Sequence, residues 1–138
     1  MRTFLLIIGS AFIFASCQLK SRVTNFEYKG FGDTIFAVIN GEVYEANNSV
    51  FMPLEDVIVS VDSIGKSTKT DKNGKFEIGL NYGKYKITVN KKGYQTIHIG
   101  NYISVPDQIS KIRIILEKGN STQIYNCPKK KWPISTHK

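Results

Sequence analysis

The chain has little from which a reactive centre is usually built: two cysteines, two histidines and one tryptophan in 138 residues. His98 and His137 stand far from each other, and neither lies near Cys17 or Cys127 at the spacing a zinc site requires, so no metal and no cofactor are expected. Acidic residues are in the minority, with 19 Lys+Arg against 11 Asp+Glu. No helical period runs through the chain after its first residues, and no apolar run reaches the ~20 residues that span a bilayer. A multi-domain enzyme, a membrane-spanning helix and a zinc site are therefore disfavoured.

What the chain does have begins with MRTFLLIIGSAFIFASC, in which Arg2 precedes an apolar stretch that ends in small residues before Cys17. This is the layout of an export leader. The segment FASC resembles a bacterial lipobox, which implies cleavage before Cys17 and acylation of its sulfur. Phe14 stands where that motif usually carries an aliphatic residue. The alternative is an ordinary signal peptide, after which Cys17 and Cys127 could pair in an oxidising compartment. Residues 1–16 are thus read as a lipoprotein leader and 17–34 as the lipidated cysteine with a linker.

From residue 35 onward, apolar residues recur at every second position. Val57, Val59 and Val61 share one strand face, as do Phe76, Ile78 and Leu80, then Tyr85, Ile87 and Val89, then Ile112, Ile114 and Leu116. Gly, Asn, Asp and Pro clusters punctuate these runs. The pattern predicts about seven strands, over 35–45, 57–62, 66–70, 75–80, 84–91, 94–100 and 109–118, forming an all-β antiparallel sandwich over 35–118. Residues 119–138 lose the alternation and are read as a basic flexible tail, with Trp132 beside three lysines.

The stretch STKTDKNGKFEIGL tests whether Asp71 opens a calcium loop. Counting from Asp71, Lys75 and Phe76 occupy the fifth and sixth positions and Tyr82 the twelfth, so the ligand set cannot be completed. A turn accounts for the same residues, because Asp71 accepts bonds from nearby amides and Asn73 and Gly74 tolerate positive φ.

INGEVYE, then PLEDVIVSVDSIGKSTKTDKNGKFEIGLNYGKYKITVNKKGYQTI, then IRIILE together resemble the carboxypeptidase regulatory-like domain, a transthyretin-like, immunoglobulin-like sandwich. Gly41, Val43, Pro53, Asp71, Gly74, Phe76, Tyr85, Gly93 and Tyr94 carry the resemblance. It implies that these residues specify fold rather than chemistry. A related transthyretin-like hydrolase closes its site with Tyr-Arg-Gly-Ser, whereas this chain has Glu117-Lys118-Gly119-Asn120 after its last predicted strand. The expectation is a non-catalytic, membrane-anchored envelope lipoprotein, facing the periplasm from the outer membrane. Its expected partners are the bilayer, through acylated Cys17, and an envelope protein. A glycan is the alternative ligand, and nucleic acid is not expected. Phe51, Met52, Tyr102 and Trp132 are the candidate contact residues.

Overall fold

The computed structural model describes residues 21–30 and 36–127, with the backbone alone at 25–30. Ten strands and no helix are present among the described residues: β1 (Arg22–Gly30), β2 (Ala37–Asn47), β3 (Val50–Pro53), β4 (Ile58–Val61), β5 (Lys66–Lys69), β6 (Lys75–Leu80), β7 (Gly83–Asn90), β8 (Thr96–Ser104), β9 (Gln108–Leu116) and β10 (Thr122–Asn126). They form two sheets. The first runs β1-β9-β2-β3, with β6 also on β2, and the second runs β10-β8-β7-β4-β5. The expected all-β sandwich is present, but it is not wholly antiparallel: β2 pairs parallel with β9, and β10 parallel with β8.

The alternating apolar residues meet between the sheets. Ile39, Val43, Ile78, Leu80, Ile112 and Ile114 of the first sheet join Val59, Val61, Ile87, Val89, Ile97 and Ile99 of the second in one buried cluster. Each such side chain contributes roughly 1.5–3 kcal/mol when removed from water. The inner strand faces fill most of the core, with Leu54, Val57 and Cys127 added from the connections, which leaves both outer faces to other work.

β2 changes partner halfway along. Ala37 to Glu42 pair with β6 and Tyr44 to Asn47 with β3. Val43 stands at the change, donating its amide to Gly74 O at 2.7 Å and accepting Leu54 N–H at 2.9 Å. Gly74 has φ +71°, and a Cβ there would lie 2.4 Å from Val43 O. On the adjacent pair Gly41↔Phe76, the phenyl ring covers the glycine so closely that a Cβ on Gly41 would fall 2.0 Å from it.

Asp71 builds the turn ahead of this site, its Oδ1 accepting the amides of Asn73 and Lys75 at 2.9 Å each. The carboxylate is thereby engaged by the backbone. The expected turn is present, but the strands on either side of it do not pair with each other: β5 pairs with β4 and β6 with β2. The turn carries the chain from one sheet to the other. Thr70, buried just before it, accepts Val57 N–H at 2.9 Å and donates to Leu54 O at 2.6 Å, tying the two loops together.

Three expectations require correction. The segment read as a linker contains β1, which pairs along β9 from Arg22↔Ile115 to Gly30↔Gln108. An irregularity between Val23 and Asn25 shifts the strand's phase by one residue, so its period is invisible to a count by twos. The segment read as a flexible tail contributes β10 and buries Cys127, whose amide bonds Gly100 O at 3.0 Å. Tyr102, offered as a contact residue, is 0% exposed. β8 bulges where Tyr85↔Tyr102 gives way to Ile87↔Ile99, and Asn101 takes φ 57°, which turns the ring inward. Its hydroxyl lies 2.9 Å from Ser110 Oγ.

Candidate functional site on the outer face of the first sheet

Outward positions of β2, β6 and β9 alternate with the core positions, and Glu42, Lys75, Glu77, Lys111 and Arg113 among them are charged. The row Arg113, Glu42, Lys75 crosses three strands in register, and the row Lys111, Asn40, Glu77 runs beside it. Such opposite-sign neighbours on a solvated face add only tenths of a kcal/mol each, so they define a surface more than they hold the fold.

Arg113 organises the centre. Its Nη2 lies 3.0 Å and its Nε 3.3 Å from Glu42 Oε2, while Tyr44 donates its hydroxyl to the same oxygen at 3.1 Å. The guanidinium carbon also stands 5.6 Å from the centre of the Tyr44 ring. The hydrogen bond from Arg113 pulls the Glu42 carboxyl below its ordinary value against the opposing effect of burial. Burial, then the hydrogen bond to Glu42, pushes the Tyr44 phenol up.

Two shallow grooves flank this cluster. One, of about 630 Å³, is lined in part by Asn40, Lys75, Phe76, Glu77 and Lys111. The other, of about 470 Å³, is lined by Arg22, Thr24, Tyr44, Phe51 and Ile115, and both include Arg113. The surface offers cationic, carboxylate and aromatic contacts along an open face. It offers no nucleophile beside a base.

The outer face of the second sheet is chemically different. Ser67, Ser60, Thr88, His98 and Ile124 follow one another across its strands. Thr88 Oγ1 lies 2.9 Å from both Asp62 Oδ2 and His98 Nδ1. Because an ionised carboxylate only accepts, Thr88 donates to Asp62 and receives the His98 Nδ1 proton. The histidine therefore does not activate this hydroxyl as a nucleophile. Among the described residues, no three His, Cys, Asp or Glu side chains are grouped to hold a metal.

Of the contact residues chosen from sequence, Phe51 and Met52 are 51% and 52% exposed on β3, whereas Tyr102 is in the core. Cys17 and Trp132 lie outside the described residues. The motif residues Gly41, Val43, Pro53, Asp71, Gly74 and Phe76 gather around the partner change in β2. Tyr85 packs against the core and donates to Asn81 O at 3.2 Å, and Gly93-Tyr94 turns β7 into β8, with Tyr94 paired to Lys118. Glu42, Tyr44 and Arg113 were not singled out from sequence, though each occupies an outward position between core residues of a predicted strand. Cys127 is a thiol that burial pushes up to about 11, which keeps it protonated and unreactive at neutral pH.

Two mixed sheets packed over a filled core, with an open, ion-laced outer face on the first, define an all-β sandwich domain. The chain belongs to the CarboxypepD_reg-like domain family, whose model matches residues 39–124. Among solved structures, a chain from an N-terminal interface mutant of the type II cohesin–X-dockerin complex of Acetivibrio cellulolyticus is 21% identical with a TM-score of 0.52. A chain from the C-terminal interface mutant of that complex is also 21% identical, with a TM-score of 0.50. Each match covers 62% of this chain and 60% of the other, less than two thirds of its length. At that identity the likeness is one of fold. No curated protein matches the chain.

Proposed function

We propose that this protein is a non-catalytic lipoprotein of the cell envelope, anchored through acylated Cys17 at the periplasmic side of the outer membrane, and that its sandwich docks a protein partner. The observation that carries the reading is the outer face of the first sheet, where two open grooves meet at Arg113 beside Glu42 and Tyr44. Arg and Tyr supply most of the energy in many protein interfaces because they combine area with directed hydrogen bonds. The similar chains come from cohesin–X-dockerin complexes, which is compatible with a protein as the partner here. The leader and FASC support the anchor.

Crosslinking and copurification from native membranes test both parts, using the natural chain, Cys17→Ser and Arg113→Glu. The proposal expects one envelope protein to be captured by the natural chain and lost from both variants. Capture unchanged by Arg113→Glu would remove the sheet face from the reading. Membrane retention unchanged in Cys17→Ser would remove the anchor.

A further inference from the structure

The start of β1 leaves almost no tether. Ser21 is buried and fixed, with its amide donating to Gln95 Oε1 at 3.0 Å and its Oγ accepting Glu117 N–H at 2.9 Å. Four residue steps separate it from Cys17, which at full extension is about 14 Å. An acyl anchor on Cys17 would therefore hold one particular end of the sandwich against the bilayer.

That end carries the β2–β3 hairpin. Arg22, Ile115, Tyr44 and Pro53 form one row across the first sheet, so Ser21 stands level with Met52, some three strand spacings or about 14 Å away. Beyond that row lie Phe51, Val50 and the turn Asn48-Ser49, whose φ values of 46° and 69° are those of a tight type I′ hairpin. Val50, Phe51 and Met52 are 60%, 51% and 52% exposed. In a strand, successive side chains point to opposite faces, so one of two neighbours is normally buried. Here three consecutive apolar residues are each more than half exposed, whichever face they point to, a pattern that a soluble surface avoids unless something binds it.

We infer that the tip of the β2–β3 hairpin, Val50-Phe51-Met52, inserts into the headgroup region of the same leaflet that receives the Cys17 acyl chains. This rests on the lipoprotein reading above and adds a second, noncovalent contact that sets the domain's orientation. The sandwich stands on this end, with Tyr82, 72% exposed in the turn after β6, at the end remote from the lipid. Charges at this end balance, with Arg22, Lys91, Lys92 and Lys118 against Glu45, Glu55, Asp56 and Glu117; Lys91 donates to Glu55 O at 2.7 Å and Lys118 lies 3.4 Å from Glu45. Apolar insertion rather than attraction to anionic lipid sets the contact, so it persists at raised salt.

The test uses the acylated full mature chain, purified from membranes and reconstituted in phosphatidylethanolamine–phosphatidylglycerol vesicles. Trp132→Phe provides the background, and one tryptophan is introduced by Phe51→Trp, Met52→Trp or Tyr82→Trp. All three introduced positions are exposed, so folding should be retained. With brominated lipids, emission from the Phe51→Trp and Met52→Trp proteins is expected to fall roughly two-fold at low and high salt, because indole at this depth meets the quencher. Emission from the Tyr82→Trp protein should not change. Unquenched hairpin variants whose Cys17 carries acyl chains by mass spectrometry overturn the docking and leave the anchor standing. Equal quenching at both ends overturns the orientation. An unacylated Cys17 overturns the anchor, and the docking with it.

Discussion

The two sheets bury similar aliphatic ladders and differ in how they are stitched and in what they show to solvent. The first depends on close backbone approach where β2 passes from β6 to β3, and its outer face is an ion ladder with Tyr44 and Phe51 at one end. The second joins β7, β4 and β5 by plain antiparallel pairing and faces outward with hydroxyls and His98. Its edge strand β5 begins and ends in lysine, which discourages strand addition. The first sheet's edge strand β3 has no charge at all. With the inner faces alike, what the molecule can recognise lies in the outward residues.

The largest test of this contrast compares two glycines that both have positive φ. Gly74→Ala should cost about 2–4 kcal/mol, because strain at φ +71° is joined by a clash with the Val43 carbonyl, which is backbone and cannot move aside. Gly93→Ala, in the turn that joins β7 to β8 of the second sheet, at φ +87° with open space around it, should cost about 1 kcal/mol. Denaturant midpoints measure both, and equal losses would mean that the crossing at Val43 is not specially tight.

A second test addresses the seam between the sheets, where Cys127 is buried near Tyr102. Burial raises the Cys127 thiol to about 11 and also raises the Tyr102 phenol. A group that loses its proton less readily when folded stabilises fully below its unfolded value, so this contribution is present at neutral pH. It is lost as pH climbs from about 9 toward 11, and amounts to roughly 2–3 kcal/mol for the thiol. Stability against pH should fall less steeply across that window in Cys127→Ala than in the natural chain. Parallel curves would contradict the burial of the thiol.

The smallest effect separates the outer faces themselves. Arg113→Ala and Thr88→Val should each change stability by about 1 kcal/mol or less, since both act at the solvated surface. Only Arg113→Ala should move the Glu42 titration up toward an ordinary carboxylate, because the Arg113 hydrogen bond is the main cause of its depression. The depressed carboxyl contributes stability above its unfolded value and loses it as pH falls through the folded one. Carbon-detected NMR of the Glu42 carboxyl reads the shift, and an unmoved titration in Arg113→Ala would remove that ion pair from solution.

Regular alternation made β4, β6, β7 and β9 legible, and the resemblance singled out Gly41, Gly74 and Phe76 as fold residues but not the change of partner in β2 around which they gather. β1 was hidden because its irregularity after Val23 breaks the count by twos. The same device at Asn101 concealed that Tyr102 belongs to the core. β10 was hidden for another reason: it is an edge strand lying parallel to β8, and Ile124 is 76% exposed, so no buried period identifies it. The outer-face cluster was readable as outward positions on predicted strands. Its joining into one surface depended on the parallel pairing of β2 with β9, which no local stretch encodes.

The first strand also fixes how the molecule bears load. β1 starts with four residues between it and Cys17, at the end where the proposed anchor would sit, and runs down the length of β9 with eight registered pairs. A pull that draws the body of the domain away from Cys17 along the strand axis strains those pairs together, in shear, instead of peeling them apart one after another. With the acyl anchor proposed at Cys17, β1 in place of a tether makes a rigid mount where the sequence suggested a flexible leash.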